Sequence, residues 1–343
     1  MSRSGILAAG NLIVDHVKVI DKWPSEGMLS NVLHEERSTG GGPSNVLIDL
    51  AKMEVGIPLY VSGIVGADPD GVYIRERLNS FGIDTTNVHV TDEASTSFTD
   101  VMSDASSGQR TFFHYRGANS LLDEKHLKEV RPNAQIFHLG YLLLLDGLDK
   151  EDPDFGVVAA RVLHQKGSQG YRVSVDVVSE SGERFRRVVT PCLEHIDYLI
   201  LNEIEAERST GLLIRRADKS LDVDSLRKAA RKLLDGGVRE LVAIHFPEGG
   251  YAMTQKRQEV YQPSFVVAEE ELKGSVGAGD AFCAGLLFGL HEDLDLSAAL
   301  TLAHASARFN LTSPTCSDGA VALTELSRFM ESGPQRTPVP AGL

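Results

Sequence analysis

Cysteine is scarce in this chain of 343 residues, with only Cys192, Cys283 and Cys316. Their number is odd and no two stand close together, so neither a disulfide framework nor a C-x-x-C metal site fits, and they read as free thiols. The longest apolar stretches, Asp197 to Asn202 and Ala281 to Leu290, fall far short of the roughly 20 residues a membrane helix needs. Met1 to Gly10 lacks the basic region and apolar core of a secretory signal, so the sequence predicts a cytoplasmic protein. Excess positive charge is missing as well. With 34 Lys and Arg against 48 Asp and Glu the formal charge is −14, and the pI is near 5.2. A long nucleic-acid groove would need a basic stripe, so neither nucleic acid nor membrane is an expected partner. The balance of 42% hydrophobic and 24% charged residues is that of a globular chain long enough to bury a large core without staples. Small-molecule chemistry is the field that remains.

Short β-branched runs alternate with longer amphipathic stretches. Gly5 to Ala9, Leu59 to Val65, Ile136 to Leu139, Arg172 to Val177, Tyr198 to Leu201 and Glu240 to Ile244 read as buried parallel strands. Ser44 to Met53, Val72 to Phe81, Phe155 to Gln165, Val223 to Leu234 and Leu296 to Asn310 carry helical periodicity. Leu226, Ala229, Ala230 and Leu233 show it at i, i+3, i+4 and i+7. The alternation predicts an α/β fold, a doubly wound and mostly parallel sheet with helices on both faces. Residues 16–39 and 94–116 break the rhythm; each alternates in polarity and is too short for a crossover helix, so both read as strands of a small accessory sheet. One domain over 1–331 is expected, followed by a flexible Pro-rich tail, 332–343.

The sharpest local signal is Gly274-Ser275-Val276-Gly277-Ala278-Gly279-Asp280-Ala281-Phe282, which opens the apolar helix Ala281 to Leu290. Small residues at a helix start let backbone N–H groups converge on phosphate oxygens, and an aspartate there can take a proton from an attacking hydroxyl. A tight turn whose Asp280 merely caps the helix would look the same. Gly40-Gly41-Gly42-Pro43-Ser44-Asn45 also opens a helix, as either a ligand loop or a flexible lead-in to a Ser-capped helix. Asn11 and Asp15 follow the first strand, where doubly wound sheets bind ligands, unless they only close an Asx turn. Asn202-Glu203-Ile204-Glu205 suits water-mediated Mg²⁺ contacts or simply an acidic helix start. There is no G-x-x-x-x-G-K-[ST], no G-x-G-x-x-G after the first strand, no H-E-x-x-H and no G-x-S-x-G. The eleven His residues are scattered, not spaced as zinc ligands.

Taken in order, these pieces resemble the ribokinase-like (PfkB) carbohydrate and nucleoside kinases over about residues 5–328. Gly41-Gly42-Pro43-Ser44-Asn45 looks like the family's early glycine stretch. Gly277 to Phe282 carries its late G-A-G-D-A-F signature unchanged. Gly108 to Phe113 with Gly117-Ala118-Asn119 resembles its turn, lid strand and GAN segment, and Asn202 to Glu205 its N-x-x-E. The resemblance implies an ATP-dependent, Mg²⁺-requiring kinase with Asp280 as general base and the Gly277, Ala278 and Gly279 backbone as anion hole. Asn11, Asp15, Gly41, Gly42 and Asn45 would bind the acceptor, first a sugar or sugar-like polyol and second a nucleoside. Asn202 and Glu205 would hold Mg²⁺ and phosphates through water, and Glu248, Gly250 and His304 would flank the adenine. The accessory strands would form a lid and build a homodimer.

Several positions depart from that pattern. Gly274 and Ser275 stand where Asp and Thr are usual, which leaves a monovalent-cation site doubtful. His245 and Pro247 replace a Thr and a Gly of the nucleotide loop, and His304 replaces a frequent Asn. Asp176-Val177-Val178-Ser179 stands in place of an Asp-Pro-Asn turn, which removes one anchor for acidic sugars. Arg110 and Arg116 in the lid are candidates to supply that positive charge instead, the alternative being solvated or dimer-interface residues. A catalytically idle ligand-binding relative is the alternative that Gly274 and the altered adenine loop motivate, while the unchanged Gly277 to Gly279 and Asp280 speak against it.

Overall fold

The computed structural model describes residues 3–107, 109–180 and 184–343; Gly108, which opens the expected lid turn, lies outside the described residues. Buried β-branched runs assemble the central sheet. Its parallel strands are β1 (Ile6–Gly10), β4 (Leu59–Gly66), β5 (Asp84–Thr91), β8 (Ile136–Leu142), β11 (Arg172–Val177), β12 (Tyr198–Asn202) and β13 (Leu241–Phe246). The antiparallel strands β14 (Gly249–Thr254) and β15 (Glu259–Pro263) extend one edge, giving the nine-stranded order β15-β14-β13-β12-β11-β8-β1-β4-β5. Chain direction across the sheet reverses at β1: β4 lies on one side and β8 on the other. Such a switch point opens a crevice beyond the strands' C-terminal ends.

One face is covered by α1 (Gly42–Lys52), α2 (Pro69–Ser80), α8 (Ala278–His291), α9 (Leu296–Asn310) and α10 (Leu323–Glu331). The other carries α3 (Glu124–Leu127), α4 (Val158–Ser168), α5 (Phe185–Cys192), α6 (Glu203–Thr210) and α7 (Val223–Asp235). A two-residue hairpin, β9 (Glu151–Asp152) and β10 (Gly156–Val157), precedes α4. The apolar stripe Leu226, Ala229, Ala230 and Leu233 is buried as its spacing predicts. Helix α8 is buried almost all round because it lies between the sheet, α1 and α9; a Cβ on Gly285 would come within 2.8 Å of the Ala303 Cα.

A four-stranded sheet, ordered β3-β2-β6-β7, stands apart from the main one. It is built from β2 (Ile13–Ile20), β3 (Val32–Gly40), β6 (Ser97–Asp104) and β7 (Arg110–Tyr115), which are the two segments that broke the helical rhythm. Strands β5, β14 and β15 and helix α5 escape the sequence reading. The first is a half-exposed edge, β14 opens with two glycines, and α5 carries an internal Pro191. The tail, expected to be flexible, is docked. Arg336 donates to the Pro263 carbonyl at 2.6 Å and its guanidinium lies 3.6 Å over the Phe265 ring, because cation–aromatic stacking and edge hydrogen bonds hold a segment that composition alone leaves loose. Among the described residues no helix is long and apolar enough to cross a membrane.

Candidate active site

Gly277 ends the loop before α8 with φ at 80°, in the left-handed region, and a Cβ there would lie 2.2 Å from the Cys316 carbonyl oxygen. Only glycine fits. The turn leaves the N–H groups of Gly277, Gly279 and Asp280 with no partner among the described residues, while that of Ala278 donates to Ser275 at 3.3 Å. The helix start therefore offers three free donors and the positive end of a dipole to an anion. Ala278, expected in this hole, contributes its position and not its hydrogen.

Asp280 sits in the first turn of α8, buried, and its two carboxylate oxygens each accept a hydrogen bond. Asn45 Nδ2 donates to Oδ2 at 2.8 Å and the Tyr141 hydroxyl donates to Oδ1 at 2.6 Å. Burial lifts the carboxyl to about 6, against the downward pull of those two donors. A carboxylate in that range is ionised at pH 7 and still basic enough to accept a proton. Tyr141 escaped the sequence reading because it stands in an apolar run, Gly140 to Leu145, with no motif around it. Its one signal is its place at the end of a predicted strand next to the switch point.

Asn11 and the glycine stretch place that tyrosine. Asn11 is fully buried; its Oδ1 accepts from the Tyr141 N–H at 2.7 Å and its Nδ2 donates to the Leu144 carbonyl at 3.3 Å. Its amide is thus spent on the backbone beside β8. Gly41, with φ at 89°, passes so near Asn11 that a Cβ would stand 2.1 Å from its carbonyl oxygen, and one on Gly42 would touch the Tyr141 ring at 3.0 Å. Asn45 Oδ1 is buried with no partner and faces the same region as an idle acceptor. On the lid side, Asp15 lies 3.6 Å from the Cys316 thiol, and burial raises its carboxyl to about 6, with Asp280 adding repulsion. Asp15, Asn45, Tyr141 and Asp280 therefore meet in one crevice between lid and sheet.

On the far side of the anion hole a cavity of about 740 Å³ runs away from Ala278 and Gly279. Asn202, His245, Pro247, Phe265, Phe282, His304 and Thr337 line it. His245 and His304 flank Phe282 at ring distances of 4.9 and 5.0 Å, and burial pushes them down to about 4 and about 3, so both are neutral at pH 7. Neutral aromatic walls suit a flat heterocycle. Thr337 from the docked tail forms part of the rim. Glu248 and Gly250 stand behind this wall: the Glu248 carboxylate is held in a two-pronged pair with Arg215 at 2.6 and 2.7 Å, and Gly250 backs onto His304.

Asn202 and Glu205 form a capping box on α6, with Asn202 Oδ1 accepting from the Glu205 N–H at 2.9 Å and Glu205 Oε2 from the Asn202 N–H at 2.8 Å. Glu205 is buried and lifted to about 7, with Asp280 adding to the rise. Asp176, at the end of β11, is buried beside it and pushed well up by burial and by repulsion from Glu205 and Asp280. Asp280 thus raises both Glu205 and Asp176, and Glu205 raises Asp176; a hard cation would relieve such a cluster of buried acids, so the donor set fits Mg²⁺ held through water. Asp176 was read from the sequence only as a missing motif.

The family profile for pfkB family carbohydrate kinase matches residues 4–322. An ATP-dependent ribose-1-phosphate kinase of Halopiger xanaduensis is 27% identical over 303 residues, spanning 88% of this chain and 89% of that one. A nucleoside kinase of Methanocaldococcus jannaschii is 22% identical over 314 residues, 91% of each chain. Among solved structures, Arabidopsis thaliana ribokinase complexed with ribose and ATP superposes with a TM-score of 0.79 at 21% identity, covering 96% of this chain and 99% of that one. A putative ribokinase II from E. coli in complex with ATP and Mg²⁺ gives 0.76 at 18%, with coverage of 96% and 99%.

Proposed function

The chain belongs to the pfkB carbohydrate kinase family, and from that premise we propose that it transfers the γ-phosphoryl group of ATP to a primary hydroxyl of a small sugar or sugar-like polyol. The observation that carries the reading is Asp280, a buried carboxylate gripped by Asn45 and Tyr141 beside three free N–H donors. The acceptor hydroxyl gives its proton to Asp280 as its oxygen attacks the γ-phosphorus in line, and the bond to the ADP oxygen breaks. The N–H groups of Gly277, Gly279 and Asp280 take up charge on the transferring oxygens. Asp15 and the idle Asn45 Oδ1 hold neighbouring acceptor hydroxyls, and the lid above them excludes water. Tyr141 and Asn11 act as positioning residues. The nucleotide base lies against Phe282 between His245 and His304. Mg²⁺ supplies charge neutralisation to the phosphates; Asp176, Asn202 and Glu205 are the residues that would hold its water.

The known activities of the relatives, on a sugar phosphate and on nucleosides, set the rivals within the family. A nucleoside acceptor is the second reading, favoured by Phe112, which stands half exposed on the lid strand β7 and offers a face to a base. Release of ADP from MgATP, scored against hexoses, ketoses, pentoses, inositols and nucleosides, tests both. Turnover with a free or phosphorylated sugar supports the proposal, turnover with nucleosides alone replaces it, and binding without turnover would mark an idle relative.

We also propose that two copies pair through the lid. Register puts Phe98, Phe113 and Tyr115 on the lid face turned from Asp15. Phe113 and Tyr115 are half exposed, and Trp23 stacks on Phe113 at 6.2 Å. An exposed aromatic cluster on a sheet face, here set beside the Lys18–Asp100 ion pair, favours a partner. Light scattering that reports a monomer at micromolar concentration would refute the pairing.

A further inference from the structure

One wall of the nucleotide cavity is a segment that has already left the central sheet. Ser264 to Val267 follow β15 and lead towards the loop before Gly277, lining the cavity as they go. Their backbone is paired by residues from far downstream. The Val266 N–H donates to the Gln335 carbonyl at 3.0 Å and the Thr337 N–H to the Ser264 carbonyl at 2.9 Å, which sets Phe265 opposite Arg336 in an antiparallel bridge. The docked tail thus lies along the wall as a short extra strand.

Arg336 and Thr337 tie that wall to two other pieces of the pocket. The Arg336 guanidinium lies 3.6 Å over the Phe265 ring and Phe329 meets the same ring edge-on at 4.9 Å, so a cavity-lining aromatic is held from two sides. The Arg336 charge also reaches His304, where it adds to burial and to His245 in keeping that imidazole neutral. Thr337 is itself on the cavity surface. Its hydroxyl donates to the Glu248 carbonyl, in the turn between β13 and β14, and lies 3.2 Å from the Ser264 hydroxyl, which donates to the Pro247 carbonyl at 2.7 Å. Turn, wall and tail therefore meet on one side chain. Both ends of the tail are fixed as well: α10 precedes it, and Leu343 packs on the core that includes Val223 of α7. Pro334, Pro338 and Pro340 remove backbone freedom that docking would otherwise cost. The family profile ends at residue 322, so family membership assigns this strap no role.

We propose that residues 334–343 are a working part of the nucleotide site, a strap whose Thr337 contacts the base of the bound nucleotide and whose Arg336, a positioning residue, holds Phe265 against it. The inference rests on the kinase reading, since it takes this cavity as the place of the base. Its consequence is selective. No hydrogen bond joins the tail to Asp15, Asn45, Tyr141 or Asp280 among the described residues, so the strap governs ATP and leaves the acceptor alone. By linkage, a nucleotide whose affinity depends on the docked strap also holds the strap in place.

The test compares the wild type with a chain ended at Ser332 and with Arg336→Gln and Thr337→Val, the two point variants deciding the matter if the shortened chain does not fold. Calorimetry with MgATP alone gives Kd, and ADP release with the acceptor found in the panel gives KM for each substrate. The shortened chain should bind MgATP about tenfold or more weakly, and each point variant about two- to tenfold, the worth of one hydrogen bond or cation–aromatic contact. KM for ATP should rise with Kd, while KM for the acceptor stays within about twofold of the wild type. In the wild type, MgATP should slow hydrogen exchange at the Val266 and Thr337 amides. Unchanged Kd for MgATP in the variants would overturn the proposal. So would an equal rise in both KM values, which marks general loosening, or exchange at the two amides that MgATP leaves unmoved. A wild type that binds no MgATP would remove the kinase reading and the strap with it. A wild type that binds MgATP yet turns over no acceptor would remove the kinase reading alone, and the Kd comparison would still decide the strap.

Discussion

Replacing Asp280 by Asn separates catalysis from stability at one atom. The change keeps size and shape, and the Tyr141 hydroxyl still finds an acceptor. Asn45 can turn its amide to offer the oxygen that now has no partner, so the local geometry survives. Turnover should fall by 10² to 10⁴, the usual worth of a general base. Stability should move the other way. Burial lifts the Asp280 carboxyl from 3.8 to about 6, so at pH 8 its ionisation costs the folded state about 3 kcal/mol. The cost is absent only near pH 3 and below, where the group is protonated both folded and unfolded. It grows as pH rises through 3.8 towards 6 and is complete above about 7. Paired thermal scans of the two proteins at pH 3, 5 and 8 should therefore show equal midpoints at the lowest value and a gain of a few °C for the variant at the highest. A loss of turnover under 10²-fold, or a variant less stable at pH 8, would refute both the role and the buried, strained charge that supports it.

Three further outcomes follow from the same crevice. Tyr141→Phe removes a donor that favours the ionised carboxylate, so the acid limb of kcat/KM should move up in pH by up to about one unit, with kcat down about tenfold; an unmoved limb would show that Tyr141 does not touch the base during turnover. In the wild type kcat/KM should fall below about pH 6, more steeply than one proton allows, because Asp15 and Asp280 both rise to that range; a rate-versus-pH curve flat to pH 5 would contradict it. Gly277→Ala forces a left-handed alanine and drives its Cβ against the Cys316 carbonyl, so unfolding should become easier by about 1–3 kcal/mol or more and kcat should drop over tenfold; a variant with wild-type kcat would mean the turn is not needed for phosphate charge.

The sequence marked out the sheet and most of its helices because burial on both faces leaves β-branched runs, and a one-sided helix leaves a 3.6-residue stripe. Two of the strands it hid lack those marks, since β5 is a half-exposed edge and β14 starts with glycines, whereas α5 keeps the stripe Phe185, Val188, Val189 and Cys192 but is masked by an internal proline. At the site, Gly277 to Asp280 and Gly41 to Asn45 were legible because short-range backbone needs select glycine and a capping or acidic residue within a few positions.

What no local pattern contains is which distant segments face one another. Tyr141 and Asp176 are ordinary residues in their own neighbourhoods, and they join Asp280 only because β8 and β11 end at the crevice where α8 begins. The two lid arginines look alike in sequence, yet Arg116 pairs with Asp146, while Arg110, with no carboxylate partner among the described residues, lines a cavity against residues 273–276. Sequence by itself determined backbone conformation and the layered α/β fold, since both follow from near neighbours and periodic burial. Only the tertiary structure decided protonation, pairing and aim, because those energies depend on the distance between charges and on exclusion of water, and residues tens to hundreds of positions apart set both.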